Sequence, residues 1–351
     1  MSHQISIQNG RAEVFSGQGL VPWHKLGTIV AGRLTAAEAI ESAHLGWLVQ
    51  PLPVSVNGRQ LAFPDDKTSE GWQGICRADT GDCLGITKGR YEIIQNADCF
   101  AFMDSLVNEG QLKYETAGAL RGGRQVWMMA RYDGDIEINQ DKHEQWLLCV
   151  SSHDGSYSLM VQWVTVRVVC ANTLSVALSG AKNQVKIRHT ANWENKEDEA
   201  RRVLGLTKDY FAAMRESLSG LADKAMTADD MNAFTKLLFP SKHEKDVPTR
   251  TSNMRWGVER LFSRGAGNRG ASRWDALNAV TDFADHEAKL RGENSTRLES
   301  ALLGSGAQLK QRAFETLTSA DLMTQLLNVR GHTPSAAPTN GGSDFSRLLG
   351  Q

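Results

Sequence analysis

Residues 114–132, YETAGALRGGRQVWMMARY, decide the fold. Two runs of strand-forming residues, 114–120 and 125–132, flank the four-residue turn Arg121-Gly122-Gly123-Arg124. Glycine supplies the positive φ angles that a tight reversal needs, so paired apolar runs around it predict a β-hairpin. A second hairpin follows at once, with 145–151 and 157–170 on either side of His153-Asp154-Gly155-Ser156. In its return strand Val161, Trp163, Thr165, Arg167 and Val169 alternate with Gln162, Val164, Val166 and Val168. Both sets are of mixed character, which predicts a strand covered on much of both faces or one at a crowded sheet centre.

Outward from this region the first half continues in strands. Asn57-Gly58 has the residues of a type I′ hairpin turn, and residues 79–82 join extended segments 72–77 and 83–87. Two helices interrupt them. Thr35 and Glu38 form a capping box ahead of a helix over 36–45, which Gly46 ends. Asn96 is placed to cap a helix over 97–109, with Phe100, Met103, Leu106 and Val107 at helical spacing. Asn172 is expected to cap a short helix over 173–178.

From residue 192 the pattern turns helical. A stripe including Val203, Leu206, Tyr210, Phe211, Met214 and Leu218 marks a helix over 194–218. Thr227 with Asp230 caps another over 231–239, which Pro240 stops. Helices follow over 254–262, from residue 273 behind a Ser272/Asp275 cap, and over 298–303, 309–317 and 320–329. Residues 264–271, RGAGNRGA, read as a mobile glycine-rich loop. Strands followed by helices predict an α+β protein: an antiparallel, hairpin-rich sheet in the first half packed with helices, and a helical second half. The expected division is a strand-rich core over 1–190, a helical region over 191–330 that carries the basic loop, and a disordered tail over 331–351.

With 351 residues, 41% of them hydrophobic, the chain can bury a sizeable core. No apolar run approaches the roughly 18 residues of a membrane helix, and the N-terminal stretch has no apolar signal region, so a cytoplasmic location is expected. Five cysteines without CxxC spacing read as reduced thiols and not as a disulfide framework or zinc site. The net charge of −1 advertises no polyanion partner. Locally the balance differs: from Lys242 to Arg273 eight Lys/Arg stand against three acids, Glu244, Asp246 and Glu259.

The chemical candidates each have a plain structural alternative. His24, beside Trp23, has the residue type of a general base, but a lone His next to Trp is more often structural. His153-Asp154 could form an acid/base pair; the turn reading, with Asp bonding the backbone, is preferred. Cys170 could act as a nucleophile with His153 or His189 as base, or pack as a small apolar thiol at a strand end. No short spacing of His residues suggests a metal. Gly265, Gly267 and Gly270 fit GxGxxG, but helical sequence precedes them where a dinucleotide site needs a strand. No GxxxxGK[ST] is present, and no cofactor is expected.

The basic residues carry more. Arg250, Arg255, Arg260, Arg264, Arg269 and Arg273 recur every four or five residues around the glycine-rich loop. Arginine binds phosphate bidentately and stacks on bases, and glycine lets backbone approach phosphate. Lys182, Lys186, Arg188 and His189 form a second cluster, with Trp193 nearby and Trp256 and Trp274 beside the first. Solvated helix faces and core tryptophans are the competing explanation.

Three strings, WHKLG at 23–27, VRVVCANTL at 166–174 and SRWDALNAVTDFADH at 272–286, resemble the phage/plasmid-like protein family, a domain of unknown function in phages, prophages and conjugative plasmids. The resemblance runs from Pro22 to about His286 and implies a mobile-element protein acting in the host cytoplasm. Large accessory proteins of such elements often handle DNA, and some anneal single strands as oligomeric rings built on a hairpin-rich sheet. The leading expectation is therefore a non-enzymatic homo-oligomer that binds or anneals single-stranded DNA during replication or recombination. Lys186, Arg188, Arg255, Arg264, Arg269 and Arg273 would meet phosphates, and Trp193 and Trp256 would stack on bases. Two alternatives stand beside it. An enzyme acting on nucleic acid or nucleotides would bring His24, His153, Asp154 and Cys170 into one pocket. A module that binds a host protein would expose an apolar patch.

Overall fold

The computed structural model describes residues 5–17, 26–32, 34–64, 70–106, 112–138, 140–167, 172–174, 184–190, 193, 207–290 and 297–330. Eight strands make the main sheet: β3 (Val14–Gly17), β4 (Thr28–Val30), β10 (Leu112–Leu120), β11 (Gln125–Ile138), β12 (Asp141–Ser152), β13 (Leu159–Arg167), β14 (Asn172–Leu174) and β15 (Gln184–Ile187). Their order is β14-β13-β12-β11-β10-β3-β4, and β15 also pairs β13. Only the β3–β4 pair is parallel within this sheet. A three-stranded antiparallel sheet has the order β5 (Val49–Pro53), β8 (Trp72–Arg77), β9 (Cys83–Lys88). Two short ribbons, β1 (Ile7–Gln8) with β2 (Arg11–Ala12) and β6 (Ser55–Val56) with β7 (Arg59–Gln60), complete the strands.

The main sheet is buried on both faces, and the alternation of β11 shows how. Val126, Met128 and Ala130 enter one core with Leu147 and Cys149 of β12 and Val161 and Trp163 of β13. Trp127 and Met129 point the other way, into a second core with Trp146, Leu148, Val150 and Val164. Successive side chains of a strand leave opposite faces, so a strand between two cores must be apolar at nearly every position. That is why 125–130 reads QVWMMA.

Nine helices are described: α1 (Ala36–Ser42), α2 (Asn96–Leu106), α3 (Thr207–Ala222), α4 (Ala228–Leu238), α5 (Thr249–Arg264), α6 (Arg273–Asp282), α7 (Arg297–Leu302), α8 (Ser305–Thr318) and α9 (Leu322–Val329). The first core continues through them by way of Phe100, Phe211, Phe234, Leu261, Trp274, Leu317 and Leu326. Trp163 is its pivot, edge-on to Phe211 at 5.1 Å and to Tyr132 at 5.7 Å. The second core is closed by Ala301 and Leu302 of α7, with Ile5 and Ala12 packed against it. Full capping boxes open α1, α4 and α6 at Thr35/Glu38, Thr227/Asp230 and Ser272/Asp275. The architecture is α+β, with the helices concentrated in the second half.

Arg77 ties the small sheet to the main one. Its guanidinium is 1% exposed and donates to both Glu13 oxygens (3.0 and 2.7 Å), just ahead of β3. It also donates to both Asp79 oxygens and lies 4.1 Å over the Trp47 ring.

Three local expectations are corrected. Asn172 caps no helix: it opens β14, paired with Arg167, because β13 offers a free ladder edge and β-branched Thr173 fits it opposite Val166. Residues 175–178 lie outside the described set. Asn96 does not cap α2 with its side chain; it turns inward, donating from Nδ2 to the Leu45 carbonyl at 2.9 Å. The 264–271 segment is a pinned turn. The Asp275 carboxylate accepts the backbone N–H groups of Arg269, Ala271 and Ser272 at 3.0–3.1 Å, while Asn268 Nδ2 donates to the Leu261 carbonyl. Gly267 and Gly270 hold φ of 73° and 70°, which the turn needs. The expected tail over 331–351 lies outside the described residues.

Candidate functional site

Helix α5 presents one face to solvent that combines an aromatic plate with cations. Trp256, Arg260 and Arg264 are spaced i, i+4, i+8, which stacks them along a helix. Trp256 is 65% exposed, and the Arg260 guanidinium sits 5.4 Å from its ring centre. Arg260 is also paired with Glu287, which offsets repulsion from Arg264 one turn on. Arg264 ends the helix, where a cation meets the negative end of the dipole, and Arg269 follows in the pinned turn; both are exposed.

Two of the arginines expected on this surface are elsewhere. Arg255 is buried on the opposite face of α5. It makes a bidentate pair with Glu244, at 2.7 Å to each oxygen, and donates from Nε and Nη2 to the Phe239 carbonyl. Arg273 is buried too, and its Nη1 donates to the Leu317 carbonyl at 2.9 Å. Both guanidiniums satisfy carbonyls that the last turns of α4 and α8 leave open. Arg312 does the same at Leu238. The glycine-rich turn has also spent the backbone amides of Arg269, Ala271 and Ser272 on Asp275, so those amides do not cradle a phosphate.

The second basic cluster divides in the same way. Lys186 on β15 and Arg188 just beyond it are exposed, whereas His189 is buried. Trp193 is partly buried against the first core. Lys186 lies on the wall of a cleft of about 580 Å³ between the β12–β13 end of the main sheet and helices α7 and α8. Its walls carry the amides of Gln162, Gln184, Gln308 and Gln311, and Leu302 and Met160 form an apolar part. Glu299 positions α7 at this place by accepting from Tyr157 Oη and pairing with Arg121. Such a cleft can hold a polar planar ligand, with amides for its edges and the Lys186 ammonium and Glu315 carboxylate as its charged groups.

His153 and Asp154 do not act as a pair. Asp154 accepts the Ser156 N–H at 2.9 Å, which makes it the turn residue expected of it. His153 is fully buried behind the turn, edge-on to Trp47 at 5.5 Å. Its Nε2 lies 2.9 Å from Asn96 Oδ1. Because Asn96 Nδ2 donates to Leu45, its oxygen must accept, and Nε2 of His153 carries the proton. Burial pushes the imidazole pKa down to about 3, helped by His189 and Arg77 and opposed by Asp154. A histidine held neutral and without solvent access is a core residue. His189 lies stacked on Tyr91 at 4.7 Å and bonded to the Glu92 carbonyl, and burial lowers its pKa as well. His24 and Cys170 lie outside the described residues.

Two features escaped the sequence reading. The strand that begins at Asn172 packs against α6, so the 166–174 and 272–286 strings, separated by about a hundred residues, meet in the fold. Near the end of α6, which runs into a π turn over Phe283–Glu287, Lys310 of α8 donates to Asp285 at 2.7 Å with both side chains almost fully buried. Burial pulls the Lys310 pKa down and Asp285 opposes it. Lys310 falls at an interior position of a helix face that is otherwise Ala313, Phe314 and Leu317, and only that placement could have flagged it. Among the described residues no group of three or more His, Cys, Asp or Glu is placed to hold a metal ion, and no helix is long and apolar enough to cross a membrane.

The chain is thus a helix-covered, hairpin-built α+β protein in which, among the described residues, Arg77, His153, Arg255, Arg273 and Lys310 are buried against protein partners while Lys186, Arg188, Arg264 and Arg269 are exposed. A family model described as a domain of unknown function, DUF932, matches residues 83–303, and the chain belongs to that family. The match takes in β9, the main sheet from β10 onward and helices α2 through α7, and leaves out the Glu13–Arg77 link. No curated protein and no solved structure matches the chain.

Proposed function

We propose that this protein binds single-stranded DNA through the outer face of α5 and the turn that follows it. The observation that carries the reading is Trp256: a tryptophan 65% exposed, with a guanidinium over its ring and Arg264 one turn beyond. Leaving so large an apolar ring in water is costly, and a base stacked on it removes that cost for any sequence. Arg264 and Arg269 meet phosphates, and Lys186 on the wall of the amide-lined cleft forms a second contact together with exposed Arg188. Arg255, Arg273 and Trp193 leave the interface because protein partners hold them. In this reading the protein belongs to a mobile element, works in the host cytoplasm as a homo-oligomer, and binds or anneals strands during replication or recombination without catalysing a reaction.

The test is anisotropy of a labelled single-stranded oligonucleotide across a salt series, with a duplex control. Trp256→Ala should weaken binding by about 5- to 150-fold, the loss of roughly 1–3 kcal/mol of stacking. Arg264→Ala with Arg269→Ala should flatten the log–log salt dependence by about 1.4. Binding that is unchanged in all these variants sinks the proposal.

One observation favours a second reading, a module that docks on a host protein. On the outer face of the small sheet Leu52, Gly74 and Ile86 lie in one cross-strand row, and Leu48 and Trp72 are exposed beside them. In that case single-strand affinity is absent, and Ile86→Glu abolishes capture of the host partner while the fold persists.

A further inference from the structure

The outer face of the small sheet also carries two cysteines in direct opposition. Cys76 of β8 and Cys83 of β9 are register partners, next to a bulge in the hairpin. Directly opposed residues of antiparallel strands have Cα atoms about 4.5 or 5.5 Å apart. Both values fall inside the roughly 4.4–6.8 Å window that a disulfide requires. Gly74, also on the outer face, leaves space there: a Cβ at that position would lie 3.6 Å from Cys76 Sγ. Cys83 is exposed, and its thiol points along the strand to the Gly85 carbonyl at 3.4 Å. Cys76 is 5% exposed.

We propose that Cys76 and Cys83 form a reactive cross-strand dithiol that closes to an intramolecular disulfide by exchange with a low-molecular-weight disulfide. Accessibility assigns the roles. The Cys83 thiolate attacks one sulfur of the reagent, forming a mixed disulfide and releasing one reagent thiolate. Cys76 then loses its proton and attacks the Cys83 sulfur, and the second half of the reagent leaves as a thiol. The reagent gains two electrons and the two protons, and the protein loses both. Burial pushes the Cys76 thiol up to about 11, with Cys83 adding to the effect, so Cys76 is a poor first nucleophile and suits the resolving position.

A second pair shows that proximity alone does not select the site. Cys99 of α2 and Cys149 of β12 have their sulfurs 3.3 Å apart, but both are fully buried in the first core, where no reagent reaches them. Among the described cysteines, Cys76–Cys83 is therefore the pair that oxidises in the folded protein. The bond would staple β8 to β9 beside the residue, Arg77, that joins the two sheets.

The experiment treats the reduced full-length chain with oxidised glutathione, then quenches, alkylates and maps the peptides by mass spectrometry. The expected result is a Cys76–Cys83 linkage with two thiols lost, while Cys99 and Cys149 remain alkylatable on unfolding. Cys76→Ser should instead hold one glutathione on Cys83, and Cys83→Ser should prevent linkage. A glutathione adduct that persists on Cys83 in the unaltered chain overturns the proposal. So does a Cys99–Cys149 linkage with Cys76 and Cys83 left free, and so does the absence of any reaction at Cys83.

Discussion

Replacing His153 with Gln should remove a specific part of the acid sensitivity of this protein. The imidazole is fully buried, donates from Nε2 to Asn96 Oδ1 at 2.9 Å, and is held neutral with a pKa of about 3, against an ordinary value of 6.5. The unfolded chain takes up the proton near 6.5 and the folded chain does not. Below 6.5 the unfolded state therefore binds more protons, and stability falls as the pH falls. The contribution is fully present above 6.5 and is lost progressively down to about 3. Each pH unit in that window costs about 1.4 kcal/mol, so about 2 kcal/mol is gone near pH 5. Glutamine keeps an amide N–H for Asn96 but does not titrate. Urea unfolding from about pH 7.5 to about pH 5 should show the gap between the two proteins closing by about 2 kcal/mol, whatever the variant costs at neutral pH. His189 titrates in both and cancels. Parallel stability curves would show that His153 is protonated or solvated in the native state, and the buried-core account of it would fail.

Three further outcomes follow from the same geometry. Arg77→Met strands Glu13, whose side chain is 3% exposed, and should cost about 3–5 kcal/mol in urea unfolding; little loss would mean that the two sheets are joined elsewhere. Lys310→Met should cost a similar amount by removing the buried cation that faces Asp285, while Lys310→Met with Asp285→Leu should recover most of it, and a double variant as weak as the single would contradict the ion-pair account. Gly85→Ala places a Cβ 2.6 Å from the Asp154 Cα, backbone that cannot swing aside, so the thermal midpoint should fall with a loss of about 1–3 kcal/mol; an unchanged midpoint would show that β9 and the 153–156 turn are not in tight contact.

The elements that were legible are those specified within a few residues. Thr35 with Glu38, Thr227 with Asp230 and Ser272 with Asp275 satisfy helix N–H groups three positions away, and all three boxes form. Asn57 and Gly58 both adopt positive φ, as their hairpin turn demands. The alternation over 161–169 predicts a strand covered on much of both faces or one at a crowded sheet centre, and Val161 and Trp163 enter one core while Val164 enters the other. Asn96 and Asn172 were misread for a common reason. An asparagine ahead of a run of residues can cap a helix, but the choice also depends on distant acceptors and free strand edges, Leu45 in one case and β13 in the other.

The surface was harder to read than the fold. Arg255 and Arg264 look alike in a local window, and one grips Glu244 and the Phe239 carbonyl while the other faces water. Nothing short of the placement of α4 against α5 distinguishes them. By itself the sequence determined the periodicities, caps and turns, because those depend on backbone sterics and hydrogen bonds that span a handful of residues. Only the tertiary structure decided which cations are free, that His153 is sealed in the core, and that Cys76 faces Cys83, because burial and partnership are set by what the rest of the chain brings to each side chain.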